Sequence, residues 1–280
     1  MNFINSFTQI TYLRDEYQKN KDFITIWKEY ITQINPKITN LCLEDIKSYS
    51  FEQQVLPVIS AALTTKYSQL QLAHDNFVKM QNELITWSKD LFGDIDVDIY
   101  FIIGLCNGAG WVTLVGDRPS ILLGGEKFVE LSWCQYDVMK SIIAHEIGHV
   151  VQFNYRKEWN EDYSDLKQKA CYQLYTEGFA QYCQIIASKN DIAHGVEWEN
   201  WCYDNEEMIK AEFLRRIEIS ISVQGFFGDW CSVFDHSDLG YFLGLQFIKH
   251  LLETMSLYDA SILPIGEVES KLISFLHTER

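Results

Sequence analysis

The sequence predicts an α+β fold, mainly helical, with a small mixed β-sheet ahead of a helix that carries His145-Glu146-Ile147-Gly148-His149. Three observations predict it. Apolar residues recur at three- and four-residue spacing from Met1 to about Phe92 and again after Gln135, the period of a helix buried on one face. Between Ile95 and Phe128 that period gives way to short apolar runs punctuated by Gly, Asn and an Asp-Arg-Pro step, the pattern of strands and turns. Only four Pro and fifteen Gly interrupt the 280 residues, so few helices are broken.

Three regions follow, with soft boundaries. In the first, 1–94, the stretch Met1 to Asn20 reads as helical, and Phe23, Ile24, Trp27, Tyr30 and Ile31 mark a helix that the Asn35-Pro36 step interrupts. Further helices are expected from Phe51 to Thr64 and from Gln69 through Trp87 to Leu91. The second region, 95–188, opens with Asp-Ile-Tyr-Phe-Ile-Ile, then Gly-Trp-Val-Thr-Leu-Val, then Ser-Ile-Leu-Leu-Gly-Gly-Glu-Lys-Phe, read together as a small sheet. Ile99 to Gly116 has no charged residue and is nearly long enough to span a membrane, but Gly104, Asn107, Gly108, Gly110 and Gly116 predict two strands and a turn instead. Ser132-Trp-Cys-Gln135 has the form of a capping box and is expected to open a helix running to about Tyr155. A second long helix is predicted from near Asp165 to Ser188. In the third region, 189–280, a polar, Trp-rich connection leads to more helix, with a clear segment from about Leu239 to Met255.

Composition excludes several function classes. With 23 Lys plus Arg against 39 Asp plus Glu, the formal charge of −16 repels phosphate backbones and anionic lipid, so neither a nucleic-acid nor a membrane partner is expected. The seven Cys, at 42, 106, 134, 171, 183, 202 and 231, form no Cys-x-x-Cys pair, which disfavours both a disulfide framework and a thiolate zinc cluster. Reduced thiols, and an N-terminus without a basic segment, apolar core and cleavage site, lead us to expect a cytoplasmic protein. Oligomeric state is not written in these residues.

The chemistry centres on His145-Glu146-Ile147-Gly148-His149, a His-Glu-x-x-His motif well inside a predicted helix. At about 100° per residue, His149 lies about 40° from His145, and Glu146 about 60° from His149, so the three side chains share a face. Two imidazoles can then bind one ion while the carboxylate reaches a water in the ion's open position. Val138, Ile142, Ile143, Ile147, Val150 and Val151 would seat the helix in a core, and Gly148 admits the close approach of another segment. The competing reading is two core histidines and a surface Glu on an ordinary helix.

A catalytic zinc takes a third protein ligand. A His six residues after His149 would mark a metzincin, but position 155 is Tyr. Glu177, 28 residues after His149 in Thr176-Glu177-Gly178-Phe179-Ala180-Gln181, is the candidate, because Gly178 and Ala180 would let its helix lie against the metal helix.

His-Glu-Ile-Gly-His followed by Glu-Gly-x-Ala resembles the gluzincin metallopeptidases of the thermolysin-like clan, and especially predicted bacterial zinc-dependent proteases, over about Asp98 to Ser188. The resemblance implies a zincin-like catalytic core, Zn2+ held by His145, His149 and Glu177, Glu146 as the base, and a peptide or protein substrate. Gluzincins commonly carry an acidic residue four positions after the ligand Glu, where it orients the first His; here that position is Gln181, whose carbonyl can accept the imidazole N–H. Asp238-Leu-Gly-Tyr-Phe-Leu-Gly resembles a Gly-Tyr-x-x-Gly helix of related predicted proteases and makes Tyr241 a candidate oxyanion donor, alongside the reading that it is core. His236 is a second candidate for that role. In gluzincins an edge strand pairs with the substrate, and Ser120 to Gly125 is the nearest counterpart; Gly124 and Gly125 would admit a peptide backbone, or else simply end an internal strand. Glu126 is a candidate for reading a substrate amino terminus, as an aminopeptidase needs. His74, His194, His250 and His277 lack ligand spacing.

The expected activity is hydrolysis of a peptide bond: zinc polarises the carbonyl and acidifies a bound water, and Glu146 takes the water proton and returns it to the leaving amine. Two alternatives remain, a hydrolase of other amides or esters, and a zinc-stabilised interaction protein without turnover. The presence of Glu146 disfavours the latter, since a structural zinc has no use for a base.

Overall fold

Residues 1–19, 21–157, 163–188 and 195–278 are described by the computed structural model. Among them the chain is mainly helical, with one mixed four-stranded sheet, and its contacts gather into two units, Met1–Glu146 and Ile147–Arg280.

The first unit begins with a strand, β1 (Asn2–Asn5), followed by the helices α1 (Phe7–Tyr17), α2 (Phe23–Ile34) and α3 (Pro36–Asp45). Asp22 caps α2 by accepting the Thr25 N–H, and Asn35 caps α3 by accepting the Lys37 N–H, with Pro36 at a position where no N–H is needed. A π-helical turn at Phe51–Val55 leads into α4 (Leu56–Leu63), and α5 (Tyr67–Phe92) then buries Leu70, Ala73, Phe77, Met80 and Leu84 along one face. Three further strands, β2 (Asp98–Ile102), β3 (Gly110–Val115) and β4 (Arg118–Gly124), complete the sheet in the order β1-β2-β4-β3. β2 runs parallel to β1 and to β4, with Ile99 opposite Ile121, while β3 is antiparallel to β4, with Trp111 opposite Leu122. Helix α2 is fastened just beyond the end of β2: Trp27 Nε1 donates to the Ile103 carbonyl at 3.0 Å, and the Ile103 N–H donates to the Tyr30 hydroxyl at 2.8 Å. Both rings are fully buried, so each polar atom needs the partner it has.

Two expectations about this unit are corrected. Met1 to Asn20 is not helical throughout, because Asn2–Asn5 is a strand. Its partner is almost a hundred positions away, and four residues are too few to show a period of their own. The capping box is the second correction, since the metal helix α7 (Tyr136–Arg156) starts four residues beyond Ser132. Ser132 instead ends a short helix, α6 (Gly125–Glu130), formed where the third apolar run predicts strand. Its φ is +60°, its N–H donates to the Val129 carbonyl, and the Trp133 N–H donates to the Phe128 carbonyl. That is the paired bonding of a left-handed C-terminal helix cap.

The division between units falls within α7. The second unit continues with α8 (Leu166–Ser188), α9 (Val196–Asp204), α10 (Glu206–Glu218), α11 (Leu239–Leu252), α12 (Leu257–Ser261) and α13 (Ile265–Leu276). Its core is the crossing of α8 with α11 at Gly178 and Gly244. A Cβ on Gly244 would stand 2.5 Å from the Leu174 carbonyl oxygen and 2.8 Å from Gly178 Cα, so the two backbones meet with no side chain between them. Tyr175 donates its hydroxyl to the Ala260 carbonyl at 2.6 Å, and Arg156 Nη1 donates to the Leu263 carbonyl at 2.6 Å, which ties α7 and α8 to the chain around α12. No helix among the described residues is long and apolar enough to cross a membrane.

Candidate metal centre

Helix α7 is held by Met139, Ile143, Ala144, Ile147, Val150 and Val151, all buried. That anchoring fixes the direction of the polar residues between them. His145, Glu146 and His149 are each less than a tenth exposed, an uncommon burial for ionisable side chains. Helix α8 supplies Glu177. His145, His149 and Glu177 form a group whose ligand atoms all lie within 4.8 Å of one another.

The donor set suits a divalent ion. Two imidazoles and a carboxylate are the ligands of a catalytic zinc site with one position left open, and two ligands about 2 Å from one tetrahedral ion stand about 3.3 Å apart. His149 Nε2 and Glu177 Oε2 are 3.2 Å apart. The same separation also suits a hydrogen bond from imidazole to carboxylate, so it is the third residue, His145, that gives the group the three donors that could hold a metal ion.

Small residues set these positions. A Cβ on Gly148 would stand 2.8 Å from Cys183 Cβ and 3.0 Å from Ala180 Cα, so α8 packs directly on α7 at the turn between the two histidines. Ala180 has the part expected of it, whereas Gly178 faces Gly244 of α11 rather than the metal helix. Glu177 is therefore placed by two crossings, one on each side of α8. Gln181 is buried one turn further along the same helix.

Glu146 has a neighbour that sequence reasoning missed. A Cβ on Gly110 would stand 2.5 Å from Glu146 Cγ and 2.7 Å from Cδ, so β3 passes directly beside this carboxylate and only glycine leaves it room. An isolated Gly at the start of a strand is a known sign of close approach, and it was the available signal.

Other candidates are arranged differently. Ser120 to Gly124 belongs to β4, whose two edges are occupied by β2 and β3, so this segment cannot receive a peptide by strand addition. The glycines serve internal packing: a Cβ on Gly124 would collide with the Gly108 carbonyl, and one on Gly125 would stand 2.7 Å from Leu70 Cδ1. Among the described residues the edge strand on this side of the sheet is β3. Tyr241 packs edge-on against Phe227, with ring centroids 5.8 Å apart. His236 stacks on Trp201 at 3.6 Å, and its Nδ1 lies 2.9 Å from the Phe234 carbonyl. Glu126 is fully buried and accepts the N–H of Gly104 and of Cys106, each at 3.0 Å, so both its carboxylate oxygens are engaged by backbone donors. Burial pushes the Glu126 carboxyl above the usual carboxylate range, while these backbone donors pull it the other way. His74 lies between Asn5 and Asp75, His250 and His277 are exposed, and His194 lies outside the described residues.

No family model matches the sequence, and no curated protein or solved structure matches it either.

Proposed function

We propose that this chain is a zinc-dependent hydrolase that cleaves peptide bonds, with a zincin-like catalytic core of the gluzincin kind. The single observation that carries the reading is the grouping of His145, His149 and Glu177, whose ligand atoms lie within 4.8 Å of one another, with Glu146 next to His145 on the same helix. Those three residues would hold the ion, and when bound it would supply Lewis acidity and a water of lowered pKa. Glu146 takes the proton of the attacking water and returns it to the leaving amine, the task of a buried carboxylate beside the reacting atoms. Gly110 gives that carboxylate its space. Gln181, one turn after Glu177, is the candidate to accept an imidazole N–H and orient its ring, and Tyr241 is the candidate donor to the oxyanion.

An extended peptide would pair with β3, the edge strand that passes Glu146, through backbone N–H and C=O groups. That pairing moves the substrate-binding role from Gly124 and Gly125 to the neighbouring strand.

Metal analysis of the purified protein and of Glu146→Gln, with both assayed on a mixed peptide library, tests the proposal. About one zinc per chain in both proteins, with cleavage in the parent alone, is the expected result. Zinc without cleavage of peptides, esters or other amides would favour a metal-stabilised interaction protein. Absence of zinc from the parent, even after metal is supplied, would leave His149 and Glu177 as an ordinary ion pair.

A further inference from the structure

The loop between β2 and β3 is fastened more firmly than a connection needs to be. Glu126, at the start of α6 and wholly buried, accepts the N–H of Gly104 and of Cys106 through its two carboxylate oxygens, one each. Asn107 makes a second set of ties: its Oδ1 accepts the Leu105 N–H at 3.0 Å, and its Nδ2 lies 3.0 Å from the Cys42 carbonyl and 2.9 Å from Asp45 Oδ2. Within this loop Cys106 has φ +60°, a left-handed conformation that a non-glycine residue holds only where surrounding bonds impose it. Four residues later the chain reaches Gly110, beside Glu146.

We propose that Glu126 is a positioning residue, which clamps Gly104–Ala109 so that the edge strand β3 is presented in a fixed register beside Glu146. The effect on substrate rests on the hydrolase reading; the clamp itself does not. A buried carboxylate is expensive to desolvate, and a hydrophobic residue would fill the same volume at lower cost. Two backbone donors converging on one acceptor pair are what a carboxylate satisfies and what an amide does not. In Glu126→Gln one oxygen keeps one N–H, while the amide NH2 faces the other donor, so one of the two loop ties is lost with little change in side-chain volume.

The experiment compares the parent with Glu126→Gln by amide hydrogen exchange, zinc content and peptide kinetics. Exchange is expected to quicken about tenfold or more across Gly104 to Val115, a local opening, while α7 and α5 keep their protection and zinc content is unchanged. On extended peptides KM is expected to rise about tenfold with kcat within a factor of two, since the edge strand binds substrate and takes no part in the proton transfer. Unchanged protection of the loop would overturn the clamp. Faster exchange throughout Met1–Glu146 would also overturn it, by showing Glu126 to be an ordinary core residue; so would an equal loss of kcat. If the parent cleaves nothing, the hydrolase reading fails while hydrogen exchange still decides the clamp. Should Glu126→Gln not fold, Asn107→Ala removes the second set of ties; quickening confined to the same segment is expected, and protection equal to the parent overturns the proposal.

Discussion

Replacing Gly244 by Ala tests whether the crossing of α8 and α11 sets the position of Glu177. The added Cβ would stand 2.5 Å from the Leu174 carbonyl oxygen and 2.8 Å from Gly178 Cα, against 3.4 Å for the onset of ordinary contact. Both obstructing atoms are backbone, so no rotamer relieves the clash and α8 must move by about 1 Å. Overpacking of this kind costs about 1–3 kcal/mol of stability. The larger consequence falls on the metal, because Glu177 adjoins Gly178 and ligand geometry tolerates displacement of only about 0.5 Å. We expect zinc affinity, measured by competition with a chromophoric chelator, to weaken at least tenfold, which corresponds to about 1.4 kcal/mol. Gly266→Ala, in α13, is the control: nothing lies within 4 Å of its added Cβ, and the better helix former should stabilise by about 0.5–1 kcal/mol with zinc affinity unchanged. Parental zinc affinity in Gly244→Ala would refute the reasoning, whatever happened to the melting temperature.

Gly110→Ala should separate the base from the metal: its Cβ needs the place of the Glu146 carboxylate, and a shift of about 1 Å in a reacting group costs about 100-fold in turnover, with zinc content retained. Full activity in that variant would show that Glu146 is not the base or that β3 gives way freely. The pH dependence of stability offers another check at Glu212, whose carboxyl the hydrogen-bonded Arg215, and then Arg216, hold at about 2 against an ordinary 4.5. The folded form is thus the poorer proton binder, so its contribution is complete above pH 4.5 and disappears as the pH falls toward 2. Glu212→Gln is expected to cost about 0.5–1 kcal/mol in urea unfolding at pH 7 and nothing near pH 2, and an equal cost at both would sink the assignment.

The sequence by itself determined the elements whose signals are local. Helix α7 and the strands β2 to β4 were legible because each is long enough, or regular enough, to show its period within a few residues of its own chain. His145 and His149 share a face by the same reasoning, since helical spacing alone brings i and i+4 together. Glu177 was suggested by composition around it, and the group it makes with the two histidines depended on α8 coming to rest at Gly148.

Only the tertiary structure decided the rest. Asn2–Asn5 is a strand because Asp98–Phe101 offers it an open edge, a partner that four residues cannot announce. Ser132 closes α6 instead of opening α7, since the same residue type suits either end and the neighbouring carbonyls choose between them. β4 lies inside the sheet, which transfers the open edge to β3, and Gly178 answers to Gly244 rather than to the metal helix. At the sheet and at the glycine crossing the deciding contact joins residues distant in sequence, whereas the Ser132 cap turns on carbonyls three to five residues away that form only once α6 has folded; pairing, capping and close approach each need a partner that the residue's own type does not specify.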